Sequence, residues 1–134
     1  MDQALPGKAK HGGYIYILRF SDGTIKVGST ADPQRRARSH QRHGQSFNLN
    51  ISESWFSPLH DGYTKNEQHL IRIAKTSSFS CAGNEWFTGV NFQELVGKAK
   101  GLLYPEPDVA LHEKNAAEGF AQLKYLATAP LSEL

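Results

Sequence analysis

The stretch from Tyr14 to Ser29 constrains the fold of this chain more than any other. Residues Tyr14 to Phe20 are aromatic and branched, Ser21-Asp22-Gly23 interrupt them, and Thr24 to Ser29 resume the pattern, which predicts a β-hairpin. The loop length decides which side chains share a face. A two-residue Asp22-Gly23 turn sets Tyr16 opposite Ser29 and sends Lys26 to the other side. A three-residue loop with Gly23 left-handed instead pairs Tyr16 with Gly28 and Leu18 with Lys26, so that the phenol and the ammonium share a face and Gly28 leaves space.

Asp32-Pro33 reads as an amino-cap followed by a first helical residue, which predicts a helix from Pro33 to about His43, stopped by Gly44. Arg36, His40 and His43 form one stripe along it, and Arg35, Arg38 and Arg42 form another. Ala37 is its only obvious apolar residue, so core burial cannot be its main support and a ligand-facing surface is expected. Asn48 to Phe56 predicts a third strand, and Thr64 to Lys75 a second helix. In that helix Leu70, Ile71 and Ala74 make the buried stripe, and Glu67 lies on the same face. Thr76 to Gly83 read as a loop and Asn84 to Phe87 as a turn into an aromatic pair. Phe92 to Leu103 predict another helix.

The fold class expected is α+β, sandwich-like: a small, mainly antiparallel three-stranded sheet flanked by helices, with a C-terminal helical tail. Residues 1–11 are expected to be a flexible lead, 12–104 the domain and 105–134 the tail, in which Leu111, Phe120, Leu123 and Leu126 could dock on the domain or on a partner. No apolar run approaches transmembrane length and the first residues lack the apolar core of a secretory signal, so the expected address is the cytoplasm, with no membrane partner. The lone Cys81 excludes an internal disulfide, and His60, His69 and Cys81 lack zinc spacing. The net charge is only +2, but Arg35, Arg36, Arg38, Arg42, His40 and His43 concentrate positive charge locally, which points to a polyanion.

With these residues in place, the chain resembles the GIY-YIG nuclease family from about Gly12 to Leu103. The first tripeptide of that family corresponds to Tyr14-Ile15-Tyr16 and the second to Lys26-Val27-Gly28, followed by Ser29-Thr30 and by Arg36 on the helix. Glu67 resembles the metal-binding glutamate, and Glu85-Trp86-Phe87 the ending of the short phage and bacterial branch. Tyr14 departs from the family glycine and Lys26 from the family tyrosine; some restriction enzymes of the family also carry lysine there.

The resemblance implies a metal-dependent endonuclease, with DNA the favoured substrate. Its implied catalytic residues are Tyr16, Lys26, Arg36, His40 and Glu67, with Glu67 holding a single divalent cation, Mg2+ or Mn2+, as suits a hard carboxylate without Cys or His ligands. Tyr16 would act as general base, with Lys26 favouring the phenolate or His40 relaying the proton. Arg36 would clamp the scissile phosphate. Gly28, Ser29, Arg35 and Asn84 are expected on the substrate side, although Asn84 serves equally as a turn residue. Each residue also has a plain structural alternative: Thr64-Lys65-Asn66-Glu67 matches a capping box, and Arg36 with His40 a solvated helix pair. Two other functions remain open, a catalytically silent nucleic-acid-binding module and an interaction protein using the tail. So short a chain either cuts with low specificity, forms a homodimer or is directed by a targeting partner, and the tail is the expected contact.

Overall fold

Strand β1 (Tyr14–Phe20) pairs antiparallel with β2 (Ile25–Thr30), matching Tyr16 with Gly28 and Leu18 with Lys26. This is the register of the three-residue loop: Gly23 N–H donates to Phe20 C=O at 2.8 Å, and Gly23 takes φ +90°, which a side chain would resist. The computed structural model describes residues 5–83 and 85–128. Asn84 therefore lies outside the described residues, as do the side chains of Phe120, Leu123 and Leu126.

The sheet has five strands, not the three expected from sequence, although the class is α+β as expected. Strand β3 (Ile51–Phe56) flanks β1, while β4 (Ser80–Ala82) and β5 (Trp86–Thr88) extend the other side in the order β3-β1-β2-β5-β4. All neighbours are antiparallel, and β5 joins β2 through Ile25 opposite Phe87 and Lys26 opposite Trp86. Strands of three residues carry too little alternation to be read from sequence, and only pairing to β2 defines them.

Helix α1 (Pro33–Gln45) starts as expected, with the Asp32 carboxylate accepting the Arg35 N–H at 3.2 Å. It does not stop at Gly44. A Cβ there would lie 2.9 Å from both the Phe20 ring and Leu49 O, so this glycine permits close packing rather than ending the helix. Helix α2 (Tyr63–Ser77) buries Leu70, Ile71 and Ala74, and α3 (Phe92–Ala99) ends earlier than its apolar pattern implied.

The strand alternation divides the core in two. Ile15, Ile17, Ile25, Val27 and Phe87 pack with the buried faces of α2 and α3, whereas Tyr16, Leu18, Phe20 and Ile51 face the opposite way with Phe56 and Trp86. Phe20 meets Gly44 of α1 on this second face, and Tyr16 meets His40.

Helix α4 (Val109–Thr128) is tied to the domain at its start. Asp61 accepts the Asp108 N–H at 2.9 Å and contacts His112 at 2.6 Å, and these contacts hold the Asp61 carboxyl below its ordinary pKa. Among the described residues no helix is long and apolar enough to cross a membrane.

Candidate active site

Tyr16 stands in the middle of β1 with only 1% of its surface exposed. Its ring tilts against Phe56 and His40, and its hydroxyl lies 2.8 Å from His40 Nε2. Gly28, directly opposite on β2, makes this possible: a Cβ there would run into the phenol. Hairpin register and helix stripe thus bring together two residues that are 24 positions apart.

Burial acts on both partners. It pushes the Tyr16 phenol above its ordinary pKa, opposed by the Arg36 charge and reinforced by Glu67 and Glu85. It pushes His40 down from 6.5 to about 4, helped by the charges of Lys26, Arg36 and His43. At neutral pH the pair is therefore a neutral phenol and a neutral imidazole sharing a hydrogen bond.

Lys26 shares the face of Tyr16, as the three-residue loop requires, but it does not act as a free cation on the phenol. It is 5% exposed and forms an ion pair with Glu85, with its ammonium 5.2 Å from the centre of the Trp86 ring. A buried ammonium needs such a partner. The charge that counters the rise in the Tyr16 pKa comes from Arg36, while that of Lys26 is felt at His40. The expected stabilisation of phenolate by Lys26 has no counterpart among the charges that shift Tyr16, which are those of Arg36, Glu67 and Glu85.

Glu67 does not close a capping box. The α2 amino-cap is Gly62, with no side-chain bond to the helix, so Thr64 already lies inside the first turn. The Glu67 carboxylate instead accepts the Ser29 hydroxyl at 2.6 Å and lies close enough to act on Tyr16. Among the described residues no group of three or more His, Cys, Asp or Glu side chains is arranged to hold a metal ion. Glu67 and Ser29 are the oxygen donors at this edge of the site.

Arg35 and Arg36 are exposed, and with Thr30, Ala31, Asp32 and Ser39 they line a cleft of about 370 Å3 beside the end of β2. The site thus unites Tyr16, His40, Arg36 and Glu67, with Lys26, Gly28 and Ser29 on the strand beneath. The sequence placed Glu85 and Trp86 in a turn and a family-like ending, Glu85-Trp86-Phe87, without giving either a part in the site. Only Phe87 is buried; Trp86 is half-buried, with its ring 6.0 Å from that of His40 and 5.9 Å from that of His43. The signal that could have found them was the buried strand lysine, which demanded a carboxylate.

Among known families, the model of the T5orf172 domain matches residues 13–100, well over half of the chain and the whole of the site just described. No curated protein and no solved structure matches. Membership is consistent with a nuclease or nucleic-acid-binding role. The chain belongs to the T5orf172 domain family, whose domain is found in phage and bacterial nuclease-like proteins related to GIY-YIG-like endonucleases.

Proposed function

We propose that this protein is a metal-dependent endonuclease of the GIY-YIG type, hydrolysing nucleic-acid phosphodiester bonds, with DNA the favoured substrate. The observation that carries the proposal is the Tyr16–His40 contact of 2.8 Å in a site where Arg36 and Glu67 both act on the phenol. An ordinary core tyrosine has no need of three charged or titratable neighbours.

In this mechanism Arg36 offers two parallel N–H groups to the scissile phosphate and balances the charge that grows on its oxygens. Tyr16 accepts a proton from the attacking water as it passes its own to His40 Nε2. This concerted relay avoids a free phenolate, which burial disfavours. His40 begins neutral and ends as imidazolium, a form that Glu85 favours. Lys26 helps to keep the imidazole neutral until that proton arrives.

Glu67 with Ser29 offers an all-oxygen donor set of one carboxylate and one hydroxyl. Such a set fits a single hard cation, Mg2+ or Mn2+, that keeps most of its water. When bound, the ion supplies Lewis-acid charge for the phosphate and the leaving oxygen. Ser29 orients the carboxylate, Gly28 clears room for the phenol, and Arg35 reaches a flanking phosphate.

The direct test incubates the protein with plasmid, single-stranded DNA and RNA in Mg2+, Mn2+ or EDTA. Metal-dependent strand cutting is expected, with DNA cut best. If the folded protein binds nucleic acid in a salt-sensitive way yet never cuts, the catalytically silent binding module replaces the nuclease.

A further inference from the structure

We propose that the molecule carries a pocket for one unstacked nucleobase beside the hydrolytic centre, an inference that rests on the nuclease reading above. The pocket, about 240 Å3 in volume, is lined by Phe20, Thr24, His43, Gly44, Phe47 and Trp86 among others. Phe20 is almost fully buried and forms its floor, and Gly44, lacking a Cβ, lets α1 pack closely beside that ring. Trp86 makes a wall, tilted against Phe20 at 5.5 Å and against His43 at 5.9 Å between ring centres.

Phe47 stands at the rim with 66% of its surface exposed and its ring in edge contact with His43 at 5.4 Å. The turn after α1 holds it there. Phe47 N–H donates to Gly44 C=O at 2.9 Å, Leu49 N–H donates to the same carbonyl at 2.8 Å, and Asn48 takes the left-handed φ of 59°. What sets Phe47 apart is continuity: through His43 and Trp86 it extends the aromatic lining of the pocket to the surface, and a contiguous apolar patch of this kind marks a binding site.

Charge identifies the partner. Arg36, His40 and His43 lie on one stripe of α1, so the track that begins at the phosphate-facing guanidinium ends in this pocket. Arg38 and Arg42 stand exposed on the adjacent stripe. A neutral apolar peptide gains nothing from these cations, whereas a nucleotide places its phosphate on them and its flat base between the aromatic walls. Because a base inside a duplex is stacked on both faces, the pocket selects single-stranded, frayed or unpaired nucleotides.

The test measures binding of a single strand containing one 2-aminopurine, and of the matching duplex, in EDTA at fixed salt. Wild type is compared with Phe47→Ala and Phe47→Tyr. The single strand is expected to bind more tightly than the duplex, with 2-aminopurine emission changing on binding. Phe47→Ala should weaken the single strand about tenfold while leaving the duplex unchanged, and Phe47→Tyr should restore it. Unchanged single-strand affinity and emission in Phe47→Ala, with both nucleic acids still bound, would overturn the pocket and leave the nuclease reading standing. Absence of affinity for either nucleic acid would overturn both, and binding of an apolar peptide that Phe47→Ala abolishes would assign the pocket to a protein instead.

Discussion

At Tyr16 and His40, burial disfavours the charged form of an acid and of a base, and so leaves both neutral and joined by one hydrogen bond. The consequence for pH has a definite sign. The folded state holds His40 at about 4 against 6.5 for a free histidine, so between those values the unfolded chain binds the extra proton. The His40 contribution to stability should decline as pH falls from 6.5 to 4 and be constant below, where the loss of the Asp61 contribution takes over. Thermal melting across this range should show a shallower decline in His40→Gln. The acid limb of kcat/KM should likewise lie near 4 rather than near 6.5, and Lys26→Met should move it upward, because Lys26 contributes to the depression. Gly28 imposes a different constraint. A methyl group there collides with the phenol, so Gly28→Ala should lower stability by about 1–3 kcal/mol and displace Tyr16 from His40. Chemical denaturation and a cleavage assay on the same preparation would measure both effects.

Among the elements, those set by local chemistry were legible and those set by tertiary pairing were not. The hairpin register could be read because Gly23 permits the left-handed residue of a three-residue loop. The start of α1 could be read from Asp32-Pro33, but its end could not, since Gly44 serves the approach of Phe20 and not a helix stop. Strands β4 and β5 looked like loop because each is three residues long and gains its partners only across the sheet. The Thr64 to Glu67 capping box matched in sequence, yet the chain begins α2 at Tyr63, after a left-handed Gly62, and frees the carboxylate for Ser29. The α1 cap deserves a direct measurement, because it fixes the turn that carries Arg36. Asp32→Ala should cost about 0.5–2 kcal/mol in chemical denaturation, and it should weaken cleavage more than distant surface substitutions of equal stability cost.

In the molecule as a whole, one face of the sheet is bulk core under α2 and α3, and the other carries Tyr16, Lys26 and His40 under α1, with Glu67 reaching the site from α2 through Ser29 near the end of β2. Tyr16, Lys26, Gly28, Arg36 and His40 could be placed from sequence because one hairpin and one helix deliver them. Glu85 and Trp86 could not, because Trp86 arrives on β5, a three-residue strand defined by its pairing across the sheet, and Glu85 stands just before it. The net charge of +2 conceals the basic face of α1, which should dominate nucleic-acid binding. Arg36→Ala should therefore reduce the slope of log affinity against log salt by about one. The central claim is that Tyr16, His40, Arg36 and Glu67 form a single hydrolytic centre. Single-turnover cleavage by Tyr16→Phe, Glu67→Ala and the double variant, each confirmed folded by circular dichroism, tests it most directly. The account predicts a loss of about a hundredfold or more in each single variant and little further loss in the double, as for residues that act as one unit. Wild-type rates in either folded single variant, or losses that multiply in the double, would contradict it.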